Sequence, residues 1–225
     1  MGYSRGKDTV RDVTNVSFSD YVNRFQYRLG VSQILTQTLR VNLDYEAITD
    51  EGYLNSPYRT ARIFGAGVPE LYPRTRDSQA VAFRTVKYLL PRSSVRFEYR
   101  YFWDTWDIAA NTAEIAYTTD VGAPWLMELR YRYYAQNSAS FYSDNFTQLQ
   151  NFMARDKELS TFKSHALGGK LTYTFQSHPS FVNKSTLNVA YDHLTFNYDD
   201  FTDVRTQSPY GFDANVVQLF LSVWF

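Results

Sequence analysis

Val216-Val217-Gln218-Leu219-Phe220-Leu221-Ser222-Val223-Trp224-Phe225 ends the chain. Its odd positions, Val217, Leu219, Leu221, Val223 and Phe225, make an unbroken apolar row, while the even positions mix Gln218 and Ser222 with Phe220 and Trp224. Successive side chains of a strand point to opposite faces, so this pattern predicts a strand with one continuous apolar face. An edge strand buried in a soluble domain meets that description as well as a strand bordering lipid does. The two cases separate on whether the alternation recurs along the chain and on what the other parity carries.

The alternation does recur. Tyr21, Asn23, Phe25, Tyr27, Leu29, Val31, Gln33 and Leu35 oppose Arg24, Gln26, Arg28 and Ser32; after a turn at 36–38, Leu39, Val41, Leu43, Tyr45 and Ala47 oppose Arg40, Asn42, Asp44 and Glu46. Residues 80–90 and 95–104 repeat the pattern around a turn at 91–94, with Val95, Phe97, Tyr99, Tyr101 and Trp103 against Arg96, Glu98 and Arg100. Residues 112–118 lead into a turn at 120–124, and then Trp125, Met127, Leu129, Tyr131 and Tyr133 face away from Glu128, Arg130 and Arg132. Leu167, Gly169, Leu171, Tyr173 and Phe175 form the next face, residues 176–184 turn back, and Leu187, Val189 and Tyr191 open another strand. Past Asp192 and His193 the apolar residues Leu194 and Phe196 change parity, which predicts a β-bulge or the end of the apolar band.

Residues 49–78, with Gly52, Pro57, Gly65, Gly67, Pro69 and Pro73, and residues 137–162 read as long connections. Loops of that length are uncommon in compact soluble domains. In the second, Phe146, Leu149, Phe152 and Met153 fall at helical spacing and predict a short amphipathic helix that plugs or caps an opening. Short and long connections alternate, as in up-and-down barrels with tight turns on one side of a membrane and long loops on the other. About nine strands are countable. Since such barrels have an even number, either upstream strands lie outside this chain or residues 2–18 hold one more.

Composition points the same way. Aromatic residues make up 18% of the 225, with 19 Tyr and 17 Phe, and barrels place such rings in girdles at both membrane interfaces. The 23 basic and 23 acidic residues cancel, so no global field argues for a nucleic-acid partner. There is no cysteine, which excludes a disulfide framework and a thiolate metal site. No apolar run approaches the ~18 residues of a membrane helix. Mean hydropathy is −0.42, as expected when strands alternate between two media. The first residues, Met1-Gly2-Tyr3-Ser4-Arg5-Gly6-Lys7, lack the apolar stretch of a signal peptide.

The charges sit on the even parity. The candidate lumen-lining residues are Arg24, Arg28, Arg40, Arg84, Arg96, Arg100, Arg130, Arg132 and Lys170, with Asp44, Glu46, Glu98, Asp104, Glu114, Glu128 and Asp192. On a lipid face each Arg or Lys near the midplane would cost roughly 2–4 kcal/mol, which would forbid insertion; inside a hydrated lumen they can pair across strands. Mixed signs on neighbouring strands favour a salt-bridged interior over a pore with separate basic and acidic strips. Lys87, the odd-parity exception, sits close to a turn, where its long side chain can reach an interface.

No catalytic, cofactor-binding or metal-binding residue is assigned. A hydrolase at the barrel rim would need a nucleophile, a histidine and an orienting group together, and His165 beside Ser164 or His193 beside Asp192 are its only candidates; His178 falls in a turn. The acidic groups Asp50-Glu51, Asp199-Asp200-Asp203 and Asp144 with Asp156 and Glu158 lack the spacing of a calcium loop and read as solvated charge.

The closing strand resembles the assembly signal of Gram-negative outer-membrane barrels, a polar residue followed by spaced hydrophobics and a final aromatic, in Gln218, Val223 and Phe225; Phe220 stands where a small residue is usual. With the segments 44–52, 155–161 and 192–200, the chain resembles a domain-of-unknown-function family of proteobacterial outer-membrane β-barrel proteins without an assigned activity. The resemblance implies that residues 1–225 are the carboxy-terminal part of one antiparallel up-and-down transmembrane barrel with long extracellular loops and a periplasmic carboxy-terminus. It also implies the lipid bilayer, the barrel assembly machinery and periplasmic chaperones as partners. Family genes lie beside those of thioredoxin-like and flavin-transferase proteins, which hints at envelope redox or metal handling. Three functions are expected in descending order: a transport or envelope channel, a closed scaffold barrel, and a rim hydrolase.

Overall fold

The computed structural model describes residues 2–11, 17–56, 58–89, 91–175 and 182–225. In chain order its strands are β1 (Gly2–Arg11), β2 (Ser17–Thr36), β3 (Leu39–Gly52), β4 (Thr60–Ile63), β5 (Ala66–Pro69), β6 (Thr75–Leu89), β7 (Ser93–Asp104), β8 (Ala109–Asp120), β9 (Trp125–Gln136), β10 (Phe162–Thr174), β11 (Lys184–Asp203) and β12 (Ser208–Trp224). Ten of them form one antiparallel up-and-down sheet, β1-β2-β3-β6-β7-β8-β9-β10-β11-β12, and β4 and β5 make a separate hairpin. Among the described residues no ladder joins β1 to β12, so the sheet has two free edges.

β1 is the strand that residues 2–18 could hide, and it brings the sheet to ten. The long connection expected at 49–78 is shorter at both ends, because β3 runs to Gly52 and β6 begins at Thr75, and the β4–β5 hairpin lies between them. The strict alternation of short and long connections also needs correcting. At the end of the sheet that carries the two long loops, β7–β8 and β11–β12 are joined only by residues 105–108 and 204–207.

Register reveals the inclination of the strands. One ladder row runs Leu39, Lys87, Val95, Tyr117, Leu129, Gly169, Tyr191, Val217 across eight strands, every member odd-numbered. It starts on the first residue of β3, at the short-turn end, and by β12 it lies seven residues from the last one, Trp224. About one residue of stagger per strand, at ~3.3 Å per residue and ~4.8 Å per strand, tilts the strands by roughly 35°, the inclination of barrel sheets.

The odd face is apolar and open: Leu29 is 72% and Val217 71% exposed. The even face is closed in, with Ala110 at 2% and Asp192 at 9%. Polarity on the odd face changes with height rather than with the ladder. The row Val31, Leu43, Phe83, Tyr99, Ala113, Tyr133 is apolar or aromatic from β2 to β9, then continues as His165, Thr195 and Asp213 where the tilt has carried it toward the loop end. Tyrosine hydroxyls mark that boundary. Tyr45 donates to Gln79 (3.0 Å), Tyr99 to Asn111 (2.6 Å) and Tyr191 to Asn215 (2.7 Å), while Tyr131 pairs with His165 Nδ1 (2.8 Å). Each reaches a partner one ladder step nearer the loop end. At the opposite end Lys87 donates to Thr38 (2.8 Å), in the turn between β2 and β3.

The parity change at Leu194 and Phe196 is not a bulge. The β11–β12 register is unbroken from Lys184 to Asn197 and shifts only between Asn197 and Thr202. Leu194, Phe196 and Tyr198 therefore lie on the even face, beside Asp192, and their apolar character reflects what that face meets near the loops.

Small residues let long side chains cross the even face. Gly168 on β10 lies between Arg130 on β9 and Asp192 on β11, which pair over it (Nε–Oδ1 2.9 Å). A Cβ at Gly168 would fall 1.9 Å from Asp192 Oδ1 and 3.0 Å from Arg130 Nε. Gly168→Ala should thus force the pair apart and lower unfolding stability in detergent by about 1–3 kcal/mol, the cost of a broken hydrogen bond to a charged group. In an Asp192→Ala background the same substitution should cost almost nothing, and chemical denaturation of the double-mutant cycle checks it.

Candidate functional site

Most of the even-numbered charges meet one another. Arg24 pairs with its ladder partner Asp50 (2.7 Å) and Arg84 with Glu98 (2.6 Å), while Arg96 reaches Glu114 (2.8 Å) diagonally. Looser contacts join Arg28 to Asp44 (3.8 Å) and Lys170 to Glu128 (3.9 Å), and Arg100 crosses β6 to Glu46 at 3.7 Å. Among the described residues Arg40 and Arg132 have no ion pair. Glu46 is held more closely by Gln26 (2.6 Å), which leaves Arg100 donors to spare.

At the loop end the connections 53–74 and 137–161 fold onto each other. Ile63 bridges to Phe146, Leu71 to Met153, and Tyr142 to Ala154. Their apolar residues, with those of the β7–β8 turn, build a buried cluster of Tyr72, Trp106, Ile108, Ala139, Phe141, Ala154 and Leu159. Trp106 meets Phe141 edge-on at 5.1 Å and Tyr72 at 5.6 Å. The expected helix over 146–153 does not form. Phe146 and Met153 are buried by strand-like bridges, whereas Leu149 is 76% exposed, and the one described helix is the 3-10 turn Lys157–Leu159. These contacts hold the chain in isolated bridges separated by bends, so the spacing of the four residues reports insertion points rather than a helical face.

Asp104 ties the wall to this layer. Its Oδ1 accepts the amides of Trp106 (2.9 Å) and Ile108 (3.0 Å), which closes the β7–β8 turn, and its Oδ2 accepts Arg76 Nε (2.8 Å). The Trp106 indole donates to Thr75 O (3.0 Å). Arg59 pairs with Asp156, and Arg155 pairs with Asp144 (2.7 Å) while donating to Thr202 O (2.8 Å) on the β11–β12 side. None of Arg59, Arg76 or Arg155 was singled out from sequence, because Gly and Pro punctuation assigned the first two to a featureless loop. An Asp at a strand end followed by a four-residue connection was the available signal for the part Asp104 plays.

Between the loops and the wall lies a cavity of about 450 Å³. Arg24, Arg76, Arg100, Phe102 and Tyr134 line it from the wall, and Tyr72, Trp106, Asp156, Glu158 and Leu159 from the loops and turn. Residues of β2 and β9 thus share one cavity, which requires the sheet to curl.

The residue pairs expected for a rim hydrolase are not brought together. Ser164 and His165 are consecutive in β10, and Asp192 and His193 in β11, so each pair points to opposite faces. His165 and His193 lie on the odd face with Tyr131 and Asn215 (2.8 and 3.0 Å); His178 lies outside the described residues. The acidic groups are engaged: Asp50 by Arg24, Asp144 by Arg155, Asp156 by Arg59, Asp199 by Lys163 (3.2 Å) and Asp203 by Arg205 (3.0 Å). No metal-binding cluster of three His, Cys, Asp or Glu occurs among the described residues.

Burial, then a hydrogen bond to Glu70 (2.7 Å), pushes the Tyr72 phenol well above its ordinary value, and burial followed by Asp200 does the same to Tyr142. A raised tyrosine pKa gives stability that is complete below about pH 10 and is lost as pH rises beyond it. The loop layer should therefore loosen above about pH 10, seen as faster proteolysis within 53–74 and 137–161, and Tyr72→Phe should move the onset to higher pH.

In fold the chain is similar to OmpT, an outer-membrane protein of Vibrio cholerae described in its trimer form, with a TM-score of 0.57 at 10% identity. The match covers 98% of this chain and 64% of that one, so the chain spans less than two thirds of the relative's length. The architecture is all-β, an antiparallel up-and-down sheet of the porin-barrel kind. No curated protein sequence matches. The model of the family described as protein of unknown function, DUF3570, matches residues 6–197, most of the chain, and the protein belongs to that family.

Proposed function

We propose that this chain forms wall and mouth of a bacterial outer-membrane β-barrel that serves as a transport or envelope channel. One observation carries the reading: the two parities of a single sheet suit two different media. The odd face exposes Leu29, Val31, Leu43, Leu129, Leu167, Leu219 and Leu221 without a covering layer, and so extended an apolar surface is not stable against water. Its tyrosines turn their hydroxyls toward the loop end, as amphipathic side chains do at a bilayer interface. The even face carries the ion pairs that a hydrated lumen tolerates. The fold of OmpT, itself an outer-membrane protein, supports the location.

The free edges of β1 and β12 need partners, since unpaired backbone is costly in lipid. We take further strands, beyond these ten, as what closes the barrel, with the short turns and carboxy-terminus in the periplasm and 53–74 and 137–161 outside. The bilayer, the assembly machinery reading Gln218, Val223 and Phe225, and periplasmic chaperones are its partners; no catalytic role is proposed. A closed scaffold barrel is the second reading, favoured by the cross-strand pairing and by the loop layer over the lumen.

Planar-bilayer recording separates the two. A channel constricted by its loops should give discrete conductance steps that grow when residues 143–153 are replaced by a short Gly-Ser link. Silence in both proteins would leave the scaffold reading in place.

A further inference from the structure

The even face, which carries the ion pairs, becomes aromatic at the loop end of β9 to β12. Tyr134 contacts Phe162 (ring centroids 5.3 Å), Phe162 contacts Tyr198 (5.1 Å), Tyr198 contacts Tyr210 (5.5 Å), and Phe196 stacks on Phe212 at 4.7 Å with ring planes 8° apart. All six have even numbers and so share the face of the ion pairs. Phe162, Phe196, Tyr210 and Phe212 are half-buried and belong to neither buried loop cluster, so packing under the loops does not account for them. The path runs from β12 at one end to Tyr134, in the wall of the 450 Å³ cavity, at the other.

Cations flank the path. Lys157 Nζ stands over Tyr210 and Phe212 at 5.5 and 5.2 Å, and Arg76 and Arg100 share the cavity wall with Tyr134. Arg76 is committed to Asp104, but Arg100 touches Glu46 only at 3.7 Å. The acids of the cavity are taken: Asp50 by Arg24, and Asp156 by Arg59, which also draws Glu158 at 3.8 Å. Arg100 donors therefore face the cavity beside stacking rings. A flat body fits rings at offset or edge-on spacing, and a carboxylate fits a planar guanidinium in two-point contact.

We propose that this ring-lined path and the cavity it enters take small aromatic carboxylates, the rings holding the body and Arg100 the carboxylate. This rests on the even face being the lumen of the proposed barrel. It does not depend on an open pore, so binding and conductance fail separately.

Titration calorimetry on the full chain folded in detergent micelles tests it, with benzoate, benzylamine and maltose as probes. Benzoate should bind saturably, and benzylamine and maltose should not. Arg100→Gln should weaken benzoate about tenfold, as loss of a charge-assisted hydrogen bond does, while Arg100→Lys restores most of the affinity. Phe162→Leu should weaken it about threefold, the scale of one aromatic contact. Benzylamine binding as well as benzoate, saturable binding of maltose in place of benzoate, or benzoate heats indifferent to all the variants would each overturn the proposal.

Discussion

A β-strand sends alternate side chains to opposite sides, and a single sheet built from such strands divides space into two compartments that need not hold the same solvent. Everything else in this protein depends on that partition. The eight-strand row from Leu39 to Val217 keeps its odd parity across seven ladders without a slip. A one-residue error at any of them would exchange the faces and place arginines among leucines. Register is thus specified by the cost of that exchange, strand by strand. The steady stagger that gives the sheet its tilt follows from closing such strands around an axis.

Given two faces, the even one has to neutralise its own charge, and it does so with local chemistry. Pairs between ladder partners, such as Arg24–Asp50 and Arg84–Glu98, need nothing but register. Pairs that jump a strand need a gap in the middle one, provided by Gly168 beneath Arg130–Asp192 and by the small residues of β6 between Glu46 and Arg100. Asp104 uses both oxygens to join the wall to the loop layer, whose cluster around Trp106 is the main conventional hydrophobic core among the described residues. Ordinary globular packing is confined to the mouth, where it shapes the cavity.

Legibility in the sequence followed the same division. Strands that border two different media announce themselves by alternation, and β2, β3, β6, β7, β9 and β12 were readable from residues such as Leu43 beside Asp44 or Leu129 beside Arg130. β1 was obscure because Gly2, Ser4, Gly6 and Asp8 alternate with residues that are themselves mostly polar. The mouth was illegible for a different reason. Phe146 and Met153 are apolar because another loop covers them, and Phe196 and Phe212 because rings line the even face there, facts of tertiary contact that periodicity does not carry. Arg76 and Arg59 were missed because both fell within the connection expected at 49–78, although Asp104 and Asp156, their partners, had both been noted.

The partition into two media is open to direct measurement, since the chain has no cysteine and single ones can be introduced at will. Neighbouring positions in one strand, Asn42 and Leu43, Tyr131 and Arg132, and Gln218 and Leu219, would each carry an environment-sensitive fluorophore in protein reconstituted into vesicles. If the faces meet different media, brominated lipid quenches Leu43, Tyr131 and Leu219, and aqueous iodide quenches Asn42, Arg132 and Gln218. Equal quenching of both members of every pair by iodide, as in a sheet surrounded by water, would contradict the account.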